Sequence, residues 1–271
     1  MKKLSLLLLA LCLTLSLAAC GGSKTESVEI TVFAAASLQE SLNAVIEDYK
    51  TVAPEVTVVA TYDSSGTLKT QIQEGAPCDL LISAAPKQMD ALDGSLKGNP
   101  NRNPDGLDFV VQGSRVDLLE NKVTLAVPEG NPAGIKSFDQ LAEALNSGII
   151  LLAVGNSDVP VGQYSQKIFA YYGMDETAVA ANLTYGSNAK EVTTQVAEGA
   201  VDCGIVYGTD AHSAGLTVVD EATAGMCGQV IYPAAVINSG SQPDAAQAFL
   251  HYLSADDAKA CFEAVGFTPL T

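Results

Sequence analysis

The sequence predicts an α/β protein with mostly parallel sheets flanked by helices, and three observations carry that expectation. Short apolar runs of strand length alternate with longer runs at helical spacing from end to end, the pattern of βαβ units. Glycine stands just past three candidate helices, at Gly148, Gly173 and Gly199, its usual place at a helix end. Roughly 245 of the 271 residues follow residue 26, enough for one large domain or two lobes of ordinary size.

The elements follow in order. Met1-Lys2-Lys3 is a positive start, Leu4 to Leu17 is almost wholly apolar, and Leu17-Ala18-Ala19-Cys20 closes the run with small residues before a cysteine. An apolar stretch this short with such an ending is a secretory signal and not a spanning helix. Residues 1–19 are therefore read as signal peptide. The LAAC tetrad resembles a lipobox, which implies cleavage before Cys20 and lipid on its sulfur. Residues 20–27 are the lipidated cysteine and a polar, glycine-rich tether. Val28, Ile30 and Val32 then alternate as a strand, and Leu38, Leu42, Val45, Ile46 and Tyr49 recur as a helix. Further strand-like runs are Val56 to Ala60, Asp79 to Ala84, Val123 to Val127, Ile149 to Val154, Cys203 to Tyr207, Leu216 to Val219 and Val230 to Ile237. Helix patterns cover Thr67 to Glu74, Ser137 to Asn146, Gln163 to Tyr172, Ala189 to Glu198, Asp244 to Leu253 and Ala255 to Val265, with a surface loop at Gly98 to Gly106.

Composition excludes whole classes of partner. A net charge of −17 with only 14 Lys and Arg argues against nucleic acid and anionic lipid, both bound chiefly through basic residues. No second apolar run is long enough to cross a bilayer, so the mature chain is expected to be extracytoplasmic, held at the membrane by its lipid alone. Cys78, Cys203, Cys227 and Cys261 form no C-x-x-C pair and lie near no histidine at metal spacing, so a zinc site is not expected. Cys227 with Cys261 is one pairing among three full connectivities, and free buried thiols fit equally.

The chemistry gathers at four helix starts. Ser37 follows a strand, Ser64-Ser65-Gly66-Thr67 follows the next, Val159-Pro160-Val161-Gly162 sets proline where a helix begins, and Ser187-Asn188-Ala189 opens the fourth. Helix N-termini present unpaired N–H groups and the positive end of the macrodipole, so several converging would hold an anion without any cation. Serine hydroxyls add donors that rotate. Capping alone accounts for each taken singly: Ser37 with Glu40 and Asn188 with Glu191 read as capping boxes.

Six stretches, in order, carry a resemblance over nearly all of the mature chain: TVFAAASL from Thr31, SSGTL from Ser64, GAPCDLLISA from Gly75, VPVGQY from Val159, AEGAVDCGIVYGTDA from Ala197 and VGF from Val265. Each is weak, but together they resemble the periplasmic molybdate-binding proteins of ABC transporters. The resemblance implies a two-lobed type II periplasmic-binding-protein fold with ligand in the cleft between lobes. It implies residues 28–122 and 232–271 as lobe one and 123–231 as lobe two. It implies serine contacts from Ser37 and Ser65, main-chain N–H contacts from Val161 and Ala189, and a phenol contact from Tyr207 to a molybdate or tungstate oxyanion. Val161 and Ala189 stand where many relatives have Ala and Val, exchanges of little consequence for a main-chain donor. The metal would be met only through oxyanion oxygens, with no direct metal ligand and no cofactor. The implied partners are the permease subunits of an ABC importer, to a monomeric carrier.

An enzyme is not expected. His212 and His251 accompany no nucleophile elbow, H-E-x-x-H or P-loop. The alternatives kept are a carrier of another oxyanion such as sulfate or phosphate, and, further off, a hydrolase.

Overall fold

The computed structural model describes residues 27–271, so the signal peptide, Cys20 and most of the tether lie outside it. The first segment runs β1 (Val28–Ala35), a 3-10 turn (Ala36–Leu38), α1 (Gln39–Val52), β2 (Val56–Asp63), α2 (Ser65–Gln73), β3 (Leu80–Ile82), α3 (Pro86–Asp90) and β4 (Val116–Asn121). The second runs β5 (Val123–Val127), α4 (Phe138–Asn146), β6 (Leu152–Gly155), α5 (Pro160–Tyr171), α6 (Glu176–Val179), β7 (Leu183–Gly186), α7 (Ala189–Ala197), β8 (Cys203–Tyr207), α8 (Gly208–Ser213), β9 (Thr217–Glu221) and α9 (Ala224–Cys227). The last runs β10 (Val230–Val236), α10 (Pro243–Tyr252), α11 (Asp256–Glu263) and β11 (Thr268–Pro269). No described helix is long and apolar enough to cross a membrane.

The strands form two sheets, β11-β4-β10-β3-β1-β2 and β7-β6-β8-β5-β9, each flanked by helices in a two-lobed periplasmic-binding-protein fold. Only Lys122 separates β4 in sheet one from β5 in sheet two, and the chain returns between β9 and β10. The βαβ units behave as the alternation predicts: β1 pairs in parallel with β2 and β3, and β6 with β7 and β8. The sheets are nevertheless mixed and not mostly parallel, because β10 joins β3 and β4, and β5 joins β8 and β9, antiparallel. These strands enter from the other sheet or from a long connection, so the right-handed parallel crossover does not constrain them.

Strand residues that read as continuous apolar runs are buried on both faces, as expected of covered sheets. In sheet one Val32 and Ala34, with Leu80 and Ile82, pack toward α1 and the C-terminal helices. Phe33 and Leu81 face the opposite way onto Leu68 and Ile72 of α2. Sheet two divides likewise, with Ala126, Ala153 and Val206 against Val192 and Val196 of α7. On α1 the buried apolar residues are Leu42, Val45, Ile46 and Tyr49, the stripe its spacing predicts; each such burial contributes about 1.5–3 kcal/mol. The four described cysteines are free thiols. The pairing of Cys227 with Cys261 is not made, since Cys227 ends α9 while Cys261 sits on α11 with its thiol 3.4 Å from Asp48 Oδ2.

Candidate anion site

The four helix starts are built differently from one another, and the differences matter. Ser64 caps α2 by accepting Thr67 N–H at 3.0 Å, which leaves Ser65 free of capping duty. Ser65, fully buried, accepts Ala84 N–H at 2.9 Å instead. Asn188 caps α7 by accepting Glu191 N–H, and Glu191 closes the box on Ser187, whose N–H and hydroxyl it accepts at 2.6 and 2.7 Å. The expected capping box at Ser37 is not made. Ser37 lies in the 3-10 turn before α1, and its Oγ bonds Tyr232 Oη at 2.9 Å. Proline at the first position of α5 removes an N–H that would have no partner there, and Val161 follows it, fully buried. Gly162 has no room for a side chain, since a β-carbon would lie 2.3 Å from the carbonyl oxygens of Gly155 and Asn156.

Ser37 and Ser65 from the sheet-one side, with Ala189 and Tyr207 from the sheet-two side, line one small cavity of about 10 Å³. Val159 and Pro160 line it as well, while the Val161 side chain turns into the core. As first-turn residues, Val161 and Ala189 have N–H groups with no carbonyl one turn back inside their helices. That room, about one water-sized group, is far below the roughly 300–1,000 Å³ typical of drug-sized ligands, so the site excludes large ones. No Lys or Arg lines it. Its one acidic lining residue is Asp63, whose Oδ1 is occupied by Ser64 N–H at 2.7 Å.

Tyr207 ends β8 with 1% of its surface exposed, and its hydroxyl oxygen is buried without a hydrogen-bond partner among the described residues. Its ring packs edge-on to Tyr232 at 5.8 Å and Tyr164 at 6.5 Å. Burial, reinforced by Tyr232, Tyr164 and Asp210, holds its pKa well above the ordinary phenol value, so it stays a neutral O–H donor. Tyr232 is raised in the same way, first by burial. Behind it Phe267 packs at 5.2 Å, carried there by Gly266 at φ 100°, a backbone region closed to most side chains.

Four residues of this neighbourhood are not evident from sequence reasoning. Tyr232, inside an apolar strand run, reads as core, and Asn121 and Thr209 carry no signal of their own; Asn121 Nδ2 joins the other two, donating to Thr209 Oγ1 and Tyr232 Oη. Asp210 on α8 is buried, and its Oδ2 has no partner among the described residues; burial pushes its pKa up to about 7, with Lys190 pulling it down. A hydrophilic residue within an apolar run, as at Tyr232, is the one available signal. Among the described residues no group of three or more His, Cys, Asp or Glu could hold a metal ion.

The arrangement has donors from both sheets, no cation and an orphan hydroxyl, which chemically suits a small anion. A family model of bacterial extracellular solute-binding proteins matches residues 30–268. The putative ABC transporter substrate-binding lipoprotein YvgL of Bacillus subtilis is 32% identical, the match covering 98% of each chain. The molybdate-binding protein ModA of Haemophilus influenzae is 31% identical over 99% of each. A solved substrate-binding domain of a putative molybdenum ABC transporter from Clostridium difficile superposes with TM-score 0.64 at 29% identity, covering 90% of this chain and all of that one.

Proposed function

The chain belongs to the bacterial extracellular solute-binding protein family, which captures solutes for ABC importers, and from that premise we propose that its solute is molybdate or tungstate, held by Ser37, Ser65, Val161, Ala189 and Tyr207. The observation that carries this reading is the Tyr207 hydroxyl, buried without a partner in a small cavity that offers donors and no cation. A dianion entering such a cavity loses its hydration, and that cost is met only by direct hydrogen bonds to its oxygens. Serine and tyrosine hydroxyls and the first-turn N–H groups of α5 and α7 meet it with neutral donors and two helix dipoles. The relatives that bear molybdate in their names support the choice of ion.

Residues 28–122 with 232–271 form one lobe in this reading and 123–231 the other, with the oxyanion bridging them. The passage from sheet to sheet at Lys122, and back before β10, supports the division. Gly66 supports it as well: a β-carbon there would lie 2.2 Å from the Asp158 carbonyl oxygen, so the two sides meet at the mouth of the site. The protein delivers its ligand as a monomer to permease subunits, and lipid on Cys20 anchors it outside the cell membrane; the lipoprotein name of the Bacillus relative supports the anchor. It uses no catalytic group.

Calorimetric titration with molybdate, tungstate, sulfate and phosphate tests the ligand. Molybdate and tungstate should bind alike and sulfate much more weakly; equal competition by sulfate refutes the reading. For the anchor, Cys20→Ala should release the protein from membranes or leave it unprocessed, and unchanged membrane attachment would count against it.

A further inference from the structure

Three serines line the cavity; Ser64 caps α2, and in the other two one lone pair of the hydroxyl is already engaged. Ser65 Oγ accepts Ala84 N–H, a donor that cannot turn round. Ser37 Oγ faces another hydroxyl, Tyr232 Oη at 2.9 Å, where either oxygen could supply the proton. The rest of the network decides which does. Lys122 N–H lies 2.8 Å from Asn121 Oδ1, and a main-chain N–H only donates, so Oδ1 is the carbonyl end of that amide. Asn121 Nδ2 then only donates, and its two partners are Thr209 Oγ1 at 2.9 Å and Tyr232 Oη at 3.1 Å. Tyr232 therefore accepts from Asn121. With Asn121 donating to it, Tyr232 Oη turns its own proton to Ser37 Oγ, 2.9 Å away. With that lone pair taken, the Ser37 proton is directed away from Tyr232, and the cavity that Ser37 lines is where a partner would sit.

We propose that Tyr232 and Asn121 are specificity-determining positioning residues that hold the Ser37 hydroxyl as a donor toward the cavity, so that fully deprotonated tetrahedral oxyanions are admitted and protonated ones rejected. The proposal rests on the reading of the cavity as an oxyanion site. A hydroxyl free to turn would accept a proton from a P–O–H group as readily as it would donate to an unprotonated oxygen. A hydroxyl with one lone pair held from behind has fewer orientations in which it can accept, so it favours donating to an unprotonated oxygen. The order of protons begins at a main-chain amide, which has no second orientation, and ends at the ligand two side chains later.

The test is a set of titrations of the full mature chain with molybdate, sulfate and inorganic phosphate at pH 7, weak ligands being measured by competition against molybdate. In Tyr232→Phe the pin is gone while the ring remains. Molybdate affinity should fall about tenfold, the scale of one hydrogen bond to a charged group, and the molybdate-to-phosphate affinity ratio should fall by a similar factor. The molybdate-to-sulfate ratio should hold, because neither ion carries a proton at this pH. Asn121→Ala, which leaves Tyr232 in place but free to turn, should move the phosphate ratio in the same direction by less, and it carries the test if Tyr232→Phe does not fold. A packing role alone would weaken all three anions together. An unchanged molybdate-to-phosphate ratio in the folded variants, with wild type binding molybdate, overturns this inference and leaves the site reading intact. Failure of the wild type to bind any of the three anions overturns the site reading and the proton order with it.

Discussion

Asp90 and Asp93 are held by Arg102 and Arg115, the two arginines of the sequence, with nitrogen–oxygen distances of 2.8, 2.7 and 3.2 Å. At the cavity between the sheets there is no cation, the Tyr207 hydroxyl has no partner among the described residues, and Asp210 nearby is buried with an unpartnered oxygen. One region neutralises charge by pairing it inside the protein. The other keeps neutral donors uncommitted. With both guanidiniums engaged by carboxylates, neither is available to an anion, and selection is left to directional donors whose number and spacing are fixed. The two regions also treat a carboxyl oppositely. Hydrogen bonds from Ser95 and the Arg115 guanidinium overcome burial and hold Asp93 below its usual range, while burial carries Asp210 up to about 7.

That opposition makes the largest prediction. Asp210 keeps its proton in the folded state up to about pH 7, whereas unfolded it ionises near 3.8. Its contribution is therefore greatest below the unfolded value and is lost as pH rises through the folded one. Between those values about 3 pKa units at 1.36 kcal/mol each set an upper bound of about 4 kcal/mol. Asp210→Asn should remove this decline and be more stable than wild type at pH 8, as read by thermal melts across pH; equal stability at pH 8 would break the contrast.

Next come the donors. Ser37→Ala, Ser65→Ala and Tyr207→Phe should each cost roughly 1.5–3 kcal/mol of molybdate binding, about ten- to a hundredfold in affinity by calorimetry. Arg102→Gln should bind as wild type. Three normal hydroxyl variants beside one binding-dead arginine variant would invert the assignment of the two regions.

Arg115→Met tests the paired region from its own side, since it removes both of that residue's ion pairs. It should destabilise by about 1–3 kcal/mol, less than a fully buried pair because Arg115 is 21% exposed, with ligand affinity unchanged. Asp93 has a lowered pKa, so its stabilisation is present above the unfolded value and lost as pH falls. Wild type should thus lose more than Arg115→Met does on acidification, and parallel acid profiles would refute the coupling.

The smallest effect is expected at Gly66. Gly66→Ala sets a methyl group against the Asp158 carbonyl oxygen, and relief requires the two sides to part slightly. Affinity should drop about tenfold, roughly 1.4 kcal/mol against the arrangement in which the two sides touch. Small-angle scattering should show a weaker decrease in radius of gyration on adding molybdate than wild type shows, and an equal decrease would remove Gly66 from the closing contact.

Much of the fold is legible in local pattern. The period-2 run from Val28, the stripe at Leu42, Val45, Ile46 and Tyr49, and the glycines after α4, α5 and α7 each report an element within a dozen residues of chain. The short pieces are not legible. β7 at Leu183–Gly186 and β11 at Thr268–Pro269 have too few residues for a period, and they exist because a neighbouring strand offers its edge. Ser37 shows the limit of local reasoning most sharply. Its spacing to Glu40 signals a capping box, yet a contact 195 positions away takes its hydroxyl instead.

By itself the sequence determined the class of the fold, the helix starts that carry unpaired donors, and the large excess of negative charge, because each depends on residues close together or on sums over the chain. The tertiary structure alone decided that the strands crossing between sheets run antiparallel, that Cys227 and Cys261 lie apart as thiols, that Asp210 is buried, and that Asn121, Tyr232 and Ser37 meet. The reason is the same in every case: a hydrogen bond or a burial is a relation between segments far apart in the chain, and no periodicity along one segment encodes what the other will present to it.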